Sequence, residues 1–279
     1  MAVQDVVVAN GTTLYYEVQG AGPALLCIAG TTGDAGHFTQ VAAHLADEFT
    51  VVTYDRRGNS RSPRPEGWTR TSVPEQADDA AALMGALRLA PGAVFATDAG
   101  GRIGLDLLIR FPHLLRGVIL HDPVLPSVLH DAARLTDAVQ AAIYQGFQSK
   151  GLPGGVEAVF RYVAGDAAVA AIPPQTLERM LQNAEAIFTI ERSPDFASWC
   201  PAEEAMAAVT APVALLVGGE SLGFFGEMAE WLAPRLKVPV GTAPGGHAAY
   251  FDRAPELAEA LRPILRQWSA RRSACRDED

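Results

Sequence analysis

Asp98 closes an apolar run, Val94-Phe95-Ala96-Thr97, and is followed at once by Ala99-Gly100-Gly101. The run reads as a buried strand, and Arg102 to Phe111 carries helical spacing with Leu107, Leu108 and Phe111 on one face, so Asp98 falls at a tight strand-to-helix turn. Small residues at Ala96 and Gly100 suit such a turn, because the side chain at its tip projects while the neighbours two positions away crowd together. A carboxylate at the tip defines a chemistry. With an ordinary pKa of roughly 3.9 it is anionic at neutral pH and needs no base to become a nucleophile. Addition to an ester carbonyl would leave a reactive anhydride, whereas displacement at a saturated carbon leaves an alkyl ester that water can later open. The residue type therefore points to epoxides or alkyl halides as electrophiles.

The elements around this turn follow a regular order. Val6 to Ala9 and Thr13 to Val18 flank Asn10-Gly11, a hairpin signal, and Ala24 to Ala29 has the apolar continuity of an interior strand. Helical and strand patterns then alternate: a helix near Phe38 to Asp47, a strand Thr50 to Tyr54, a helix near Pro74 to Leu89 and the strand Ala93 to Thr97 ending at Asp98. After the helix Arg102 to Phe111 come the strand Gly117 to His121, the strand Val213 to Gly218, a helix near Gly223 to Leu236, the strand Val238 to Thr242 and a helix near Pro255 to Trp268. Alternation of this kind predicts an α/β fold, with a mostly parallel sheet covered by helices on both faces.

Between Asp122 and Thr210 the alternation stops. Three helical segments are expected there, separated by Pro153-Gly154-Gly155 and Pro173-Pro174. Val156, Val159, Phe160 and Val163 mark one buried stripe, and Leu177, Met180, Leu181, Ala184, Ile187 and Phe188 another. The expected organisation is a core of residues 1–122 and 211–279, with a helical lid inserted over 123–210.

Composition narrows the function classes. The 279 residues are 49% hydrophobic with a formal net charge of −10, and no apolar stretch is long enough to suggest a membrane span. The basic cluster Arg266 to Arg276 alternates with Asp277-Glu278-Asp279, which argues against a nucleic-acid partner. Cys27, Cys200 and Cys275 are too few and too far apart for a disulfide framework or a zinc site. A reducing cytoplasm is expected, since Met1 to Asp5 do not open on the pattern of a secretory signal. A small, apolar substrate and chemistry without metal or organic cofactor are expected.

Four segments together resemble the α/β-hydrolase superfamily over essentially the whole chain. Besides the turn at Asp98, Ile28-Ala29-Gly30-Thr31 resembles the family's oxyanion loop, with alanine in place of its histidine. Tyr54-Asp55-Arg56-Arg57-Gly58-Asn59-Ser60-Arg61-Ser62 resembles its Asp-x-Arg-Gly-x-Gly-x-Ser segment, and Pro244-Gly245-Gly246-His247 the loop that carries its histidine. The resemblance implies that His247 is the base and that the backbone N–H groups of Thr31 and Ala99 are the oxyanion donors. Family members place the acid that orients the histidine in either of two positions. Asp122, 24 residues past Asp98, occupies the first; at the second, Val217-Gly218-Gly219-Glu220-Ser221, a serine stands where aspartate is usual and Glu220 comes one residue early. Asp122 is the expected acid and Glu220 its substitute.

Relatives with an aspartate nucleophile, the epoxide hydrolases and haloalkane dehalogenases, usually follow it with tryptophan, where this chain has Ala99. A dehalogenase uses that indole N–H to hold the departing halide, while an epoxide hydrolase needs only the backbone N–H and a lid acid, usually a pair of tyrosines. Tyr144 and Tyr162 are the tyrosines of the lid. The resemblance thus favours epoxide hydrolysis to a diol through an ester on Asp98. The alternatives are haloalkane-type dehalogenation, or a serine esterase or lactonase relative whose nucleophile has been replaced by Asp98, leaving an inactive or ligand-binding protein.

Overall fold

The structure is a computed structural model that describes residues 2–270. Cys275, the outer half of the Arg266 to Arg276 cluster and Asp277-Glu278-Asp279 lie outside the described residues. Eight strands form one sheet in the order β1-β2-β4-β3-β5-β6-β7-β8. β1 (Val3–Ala9) and β2 (Thr12–Gln19) make an antiparallel hairpin across Asn10 and Gly11, both at positive φ (47° and 70°), the backbone that an Asn-Gly turn supplies. β2 is antiparallel to β4 (Thr50–Tyr54). From there β4, β3 (Ala24–Ile28), β5 (Gly92–Thr97), β6 (Leu115–His121), β7 (Val213–Gly218) and β8 (Val240–Ala243) run parallel.

Strand alternation divides the apolar side chains between two cores. Leu26, Ile28, Val52, Val94, Val118 and Leu120 face α2 (Val73–Ala86), α3 (Ala99–Arg110) and Ala229 and Leu232 of α8 (Gly223–Leu236). Leu25, Cys27, Val51, Phe95 and Ile119 face α1 (Thr39–Leu45), α9 (Ala249–Asp252) and α10 (Ala254–Ala270). Both faces of the central strands are therefore dry, as the continuous apolar runs require. Each such fully buried aliphatic side chain contributes about 1.5–3 kcal/mol, which fixes strand register and with it the positions of the strand ends.

The strand Val238 to Thr242 starts two residues late. Lys237 takes a left-handed conformation (φ 56°) that ends α8, and Val238 still donates to Ala233 O, so pairing begins at Val240. Between β6 and β7 lie α4 (Ala132–Ala171), α5 (Pro174–Gln182), a π-helical turn Ala186–Ile190, α6 (Pro194–Ala197) and α7 (Glu203–Ala207). Pro173-Pro174 does open a helix, α5. Pro153-Gly154-Gly155 does not separate two: α4 breaks instead at Lys150-Gly151 and at Gly165, and Pro153 sits in the first turn after the break, where its missing N–H has no partner to lose. The second stripe is likewise split, with Met180 on α5 and Ile187 on the π-helical turn, although both are buried. No helix among the described residues is long and apolar enough to cross a membrane.

Candidate active site

Parallel strands deliver their C-terminal ends to one edge of the sheet, and three loops there carry the titratable groups. Asp98 lies between β5 and α3 with φ 53° and ψ −128°, a conformation that costs on the order of 1–3 kcal/mol for a residue with a side chain. The surroundings hold it there. Val124 N–H and Gly101 N–H both bond to Asp98 O, at 3.1 and 3.0 Å. A Cβ at Gly100 would meet Ile28 O at 2.6 Å, and one at Gly30 would meet the Asp98 carboxyl at 2.4 Å, so both positions need glycine for the turn and the opposing loop to close on each other.

The Asp98 carboxylate has two unlike oxygens. Thr31 N–H donates to Oδ2 at 2.6 Å, while Oδ1 lies 3.9 Å from His247 Nε2. Burial pushes the Asp98 pKa up, but His247, Thr31 and the Ala99 N–H outweigh it and hold the carboxyl below the usual aspartate value. The group is an anion at neutral pH. Its side chain keeps 16% exposure, whereas His247 keeps 2% and Asp122 none, so the approach from outside ends at Asp98.

His247 Nδ1 is 3.2 Å from Asp122 Oδ2, and its ring stacks on Phe225 of α8 with centroids 4.2 Å apart and planes 14° from parallel. Asp122, at the end of β6 with φ 45°, accepts from Gly218 N–H at 3.1 Å and from Ser221 Oγ at 2.6 Å. Burial raises its pKa and the bond to His247, with help from Ser221, more than reverses that. The structure therefore brings together Asp98, His247 and Asp122, with Thr31 and Ala99 beside them. Glu220 is not brought in: its side chain is exposed, and the neighbouring Ser221 reaches Asp122 instead. The serine that stands at the second acid position thus serves the acid at the first.

Tyr144 and Tyr162 do not join the site. They stand on α4 with 65% and 39% exposure, and among the described residues neither makes a hydrogen bond or ring contact. The structure brings neither lid tyrosine to Asp98, and a place on a helix does not by itself say which face looks inward. Three buried charges beside the site had no assigned part in the sequence reading. Arg102, one helical turn after Asp98, is 5% exposed and donates to Val124 O at 2.6 Å and Phe196 O at 2.7 Å; burial pushes its pKa down to about 10. Arg56 and Glu191 form an ion pair with side chains 1% and 5% exposed. Arg102 lies in the first turn of α3, close in sequence to Asp98, whereas Arg56 and Glu191 are far from each other in sequence.

This arrangement can attack through a carboxylate oxygen, hold a developing oxyanion with two backbone N–H groups, and activate water on an oriented imidazole. Comparison with known proteins agrees with the fold. Residues 23–158 match the family model described as the alpha/beta hydrolase fold. The chain is 32% identical over 260 residues to the uncharacterized hydrolase YraK of Bacillus subtilis, covering 91% of this chain and 93% of that one. It is 29% identical over 156 residues to a zearalenone hydrolase of Bionectria ochroleuca, covering 53% and 58%. Among solved structures, an enol-lactonase from Burkholderia xenovorans LB400 shares the fold with a TM-score of 0.70 at 18% identity, over 94% of this chain and 99% of that one. A family model on the nucleophile half and a hydrolase relative along nearly the full length agree, and this chain belongs to the α/β-hydrolase family and is a hydrolase of that type.

Proposed function

We propose that the protein hydrolyses small, apolar electrophiles through a covalent alkyl ester on Asp98, epoxides being the best-matched class. One observation carries this reading: the two oxygens of Asp98 are already divided, Oδ2 bound by Thr31 N–H at 2.6 Å and Oδ1 left toward His247. Attack by Oδ1 on an epoxide carbon breaks the C–O bond, forms the ester and leaves an alkoxide that takes a proton from solvent, a proton returned when the imidazolium formed in the second step deprotonates. Oδ2 becomes the ester carbonyl oxygen, already in its oxyanion site. His247, with Nδ1 held by Asp122, takes a proton from water through Nε2, and the hydroxide adds to Cγ of the ester. The tetrahedral oxyanion on Oδ2 is stabilised by Thr31 and Ala99, and its collapse releases the diol and restores the carboxylate. Ala99 offers no side-chain donor to a departing halide, which places dehalogenation behind epoxide opening.

A second reading has its own support. The zearalenone hydrolase and enol-lactonase likenesses, with Tyr144 and Tyr162 exposed, fit a serine-type ester or lactone hydrolase in which Asp98 replaces the nucleophile. Intact-protein mass separates the two. Incubation of His247→Gln with a panel of epoxides should leave an adduct on Asp98. If no adduct forms and Asp98→Ser instead gains hydrolysis of esters or lactones, the second reading stands.

A further inference from the structure

The donor that holds Asp98 Oδ2 belongs to the Gly30–Thr31 peptide, and the other end of that same peptide is gripped by a cation. Gly30 O accepts from Arg56 Nη2 at 2.9 Å and Nε at 3.3 Å, besides closing a turn to Gly33 N–H at 3.0 Å. Arg56 in turn meets Glu191 in a two-point pair, Nη1 to Oε1 at 2.8 Å and Nη2 to Oε2 at 3.0 Å, and also donates to Gln76. Glu191 comes from the helical insertion. Its N–H closes the π-helical turn on Ala186 O at 2.9 Å, and Asn59 Nδ2 steadies Oε1 at 3.1 Å. A guanidinium hidden from water thus joins a carboxylate of the insertion to the peptide that addresses Asp98.

An amide whose carbonyl bonds to a cation donates more strongly through its N–H, because polarisation passes along the conjugated O–C–N unit and is little screened in a dry surround. We propose that Arg56, balanced by Glu191, is a positioning residue that orients and strengthens the Thr31 N–H donor to Asp98, so that the seating of the insertion sets the reactivity of the carboxylate. Two other ties reach the same loop: Asn183 Nδ2 to Thr32 O at 2.6 Å, and Arg179 to both oxygens of Asp34 at 2.7 and 2.9 Å. They anchor the loop downstream of Thr31. Of these side-chain ties, only Arg56 acts on the donor's own peptide, whose carbonyl otherwise accepts from Gly33 N–H. The effect on reactivity rests on Asp98 being the nucleophile; the effect on the donor does not.

The test reads the Thr31 amide proton by NMR at neutral pH in the unliganded protein, where a stronger hydrogen bond moves the resonance downfield. Arg56→Met should move it upfield and Arg56→Lys should restore part of the shift. Glu191→Gln keeps the shape of the partner but leaves the guanidinium unneutralised, and should move the proton downfield, opposite to Arg56→Met. A merely structural pair would move it the same way in both variants or not at all, and either result overturns the proposal. Should Arg56→Met not fold, the signs of Glu191→Gln and Arg56→Lys decide. In single-turnover reactions with an epoxide, Arg56→Met should form ester about tenfold more slowly, the loss of roughly one good hydrogen bond. If no variant, nor the parent, forms an adduct, the nucleophile reading fails while the NMR shifts still judge Arg56.

Discussion

The sheet edge and the helical insertion contribute to the site in opposite ways. At the edge, backbone geometry places the groups: Asp98 and Asp122 both sit at positive φ on the ends of adjacent parallel strands, and His247 hangs from the loop after β8. Among the described residues the insertion brings no titratable side chain within hydrogen-bonding distance of the Asp98 carboxylate or of His247; its Val124 N–H meets only the Asp98 backbone carbonyl. Its buried Asn183 and Glu191 and its half-buried Arg179 are spent on the loops at residues 30–34 and 56–60. The edge carries the atoms able to react, and the insertion constrains the loops that address them. A region can thus matter to chemistry without presenting a reacting group.

The largest effect expected on the edge is in the orienting acid. Asp122→Asn should lower turnover by about three to four orders of magnitude, as removal of the carboxylate behind a histidine does, while the fold persists. Glu220→Gln should change it little. A reversal, read in steady-state kinetics, would transfer the acid to the loop after β7.

On the insertion side the expected effect is on stability. Glu191→Ala leaves Arg56 buried without its counter-ion and should destabilise by about 3–5 kcal/mol in denaturant unfolding. Tyr144→Phe and Tyr162→Phe should stay within about 0.5 kcal/mol and leave turnover near the parent value, because both phenols face solvent. If either tyrosine variant proved inactive, the division between reacting edge and constraining insertion would break.

Two further measurements sharpen the edge. His121, closing β6 beside Asp122, is fully buried with neither ring nitrogen hydrogen-bonded, and burial pushes its pKa down to about 4. The folded protein therefore holds it neutral where the unfolded chain binds a proton. Its stability contribution is complete above the ordinary histidine pKa of roughly 6.5 and declines as pH falls toward 4, by on the order of 3 kcal/mol. His37, also pushed to about 4, adds a similar slope in the same window. Asp98 and Asp122, whose folded pKa values are lowered, lose their contribution only at more acid pH. His121→Leu should flatten the stability curve between those limits; an unchanged slope would contradict the burial argument. Ser221→Ala is the mildest case. Asp122 keeps Gly218 N–H and His247, so turnover should fall about tenfold, the worth of one hydrogen bond to a carboxylate.

Much of the edge was legible because it obeys short-range rules. The short β-branched and aromatic run Thr50 to Tyr54 gives β4 its bounds, and small residues around Asp98 give the turn. The insertion obeys fewer. Proline signals a helix start as readily as a break, so Pro153 was ambiguous while the actual break, at Gly151, is fixed by a positive φ that composition does not announce. The Arg56–Glu191 pair joins residues 135 positions apart. No periodicity links them, and only folding brings one charge to the other. Helical spacing in turn could place Tyr144 and Tyr162 on α4 without saying which face they share with solvent.

The nucleophile itself is tested most directly by oxygen labelling. A single turnover of an epoxide in heavy-oxygen water, followed by peptide mapping, should place label in the Asp98 carboxylate, because water adds to Cγ of the ester and its oxygen stays there when the diol leaves with the original Oδ1. The diol from that first turnover should carry none of the label. Label found in the diol and absent from Asp98 over repeated turnovers would mean that water attacks the substrate directly, and that Asp98 forms no ester.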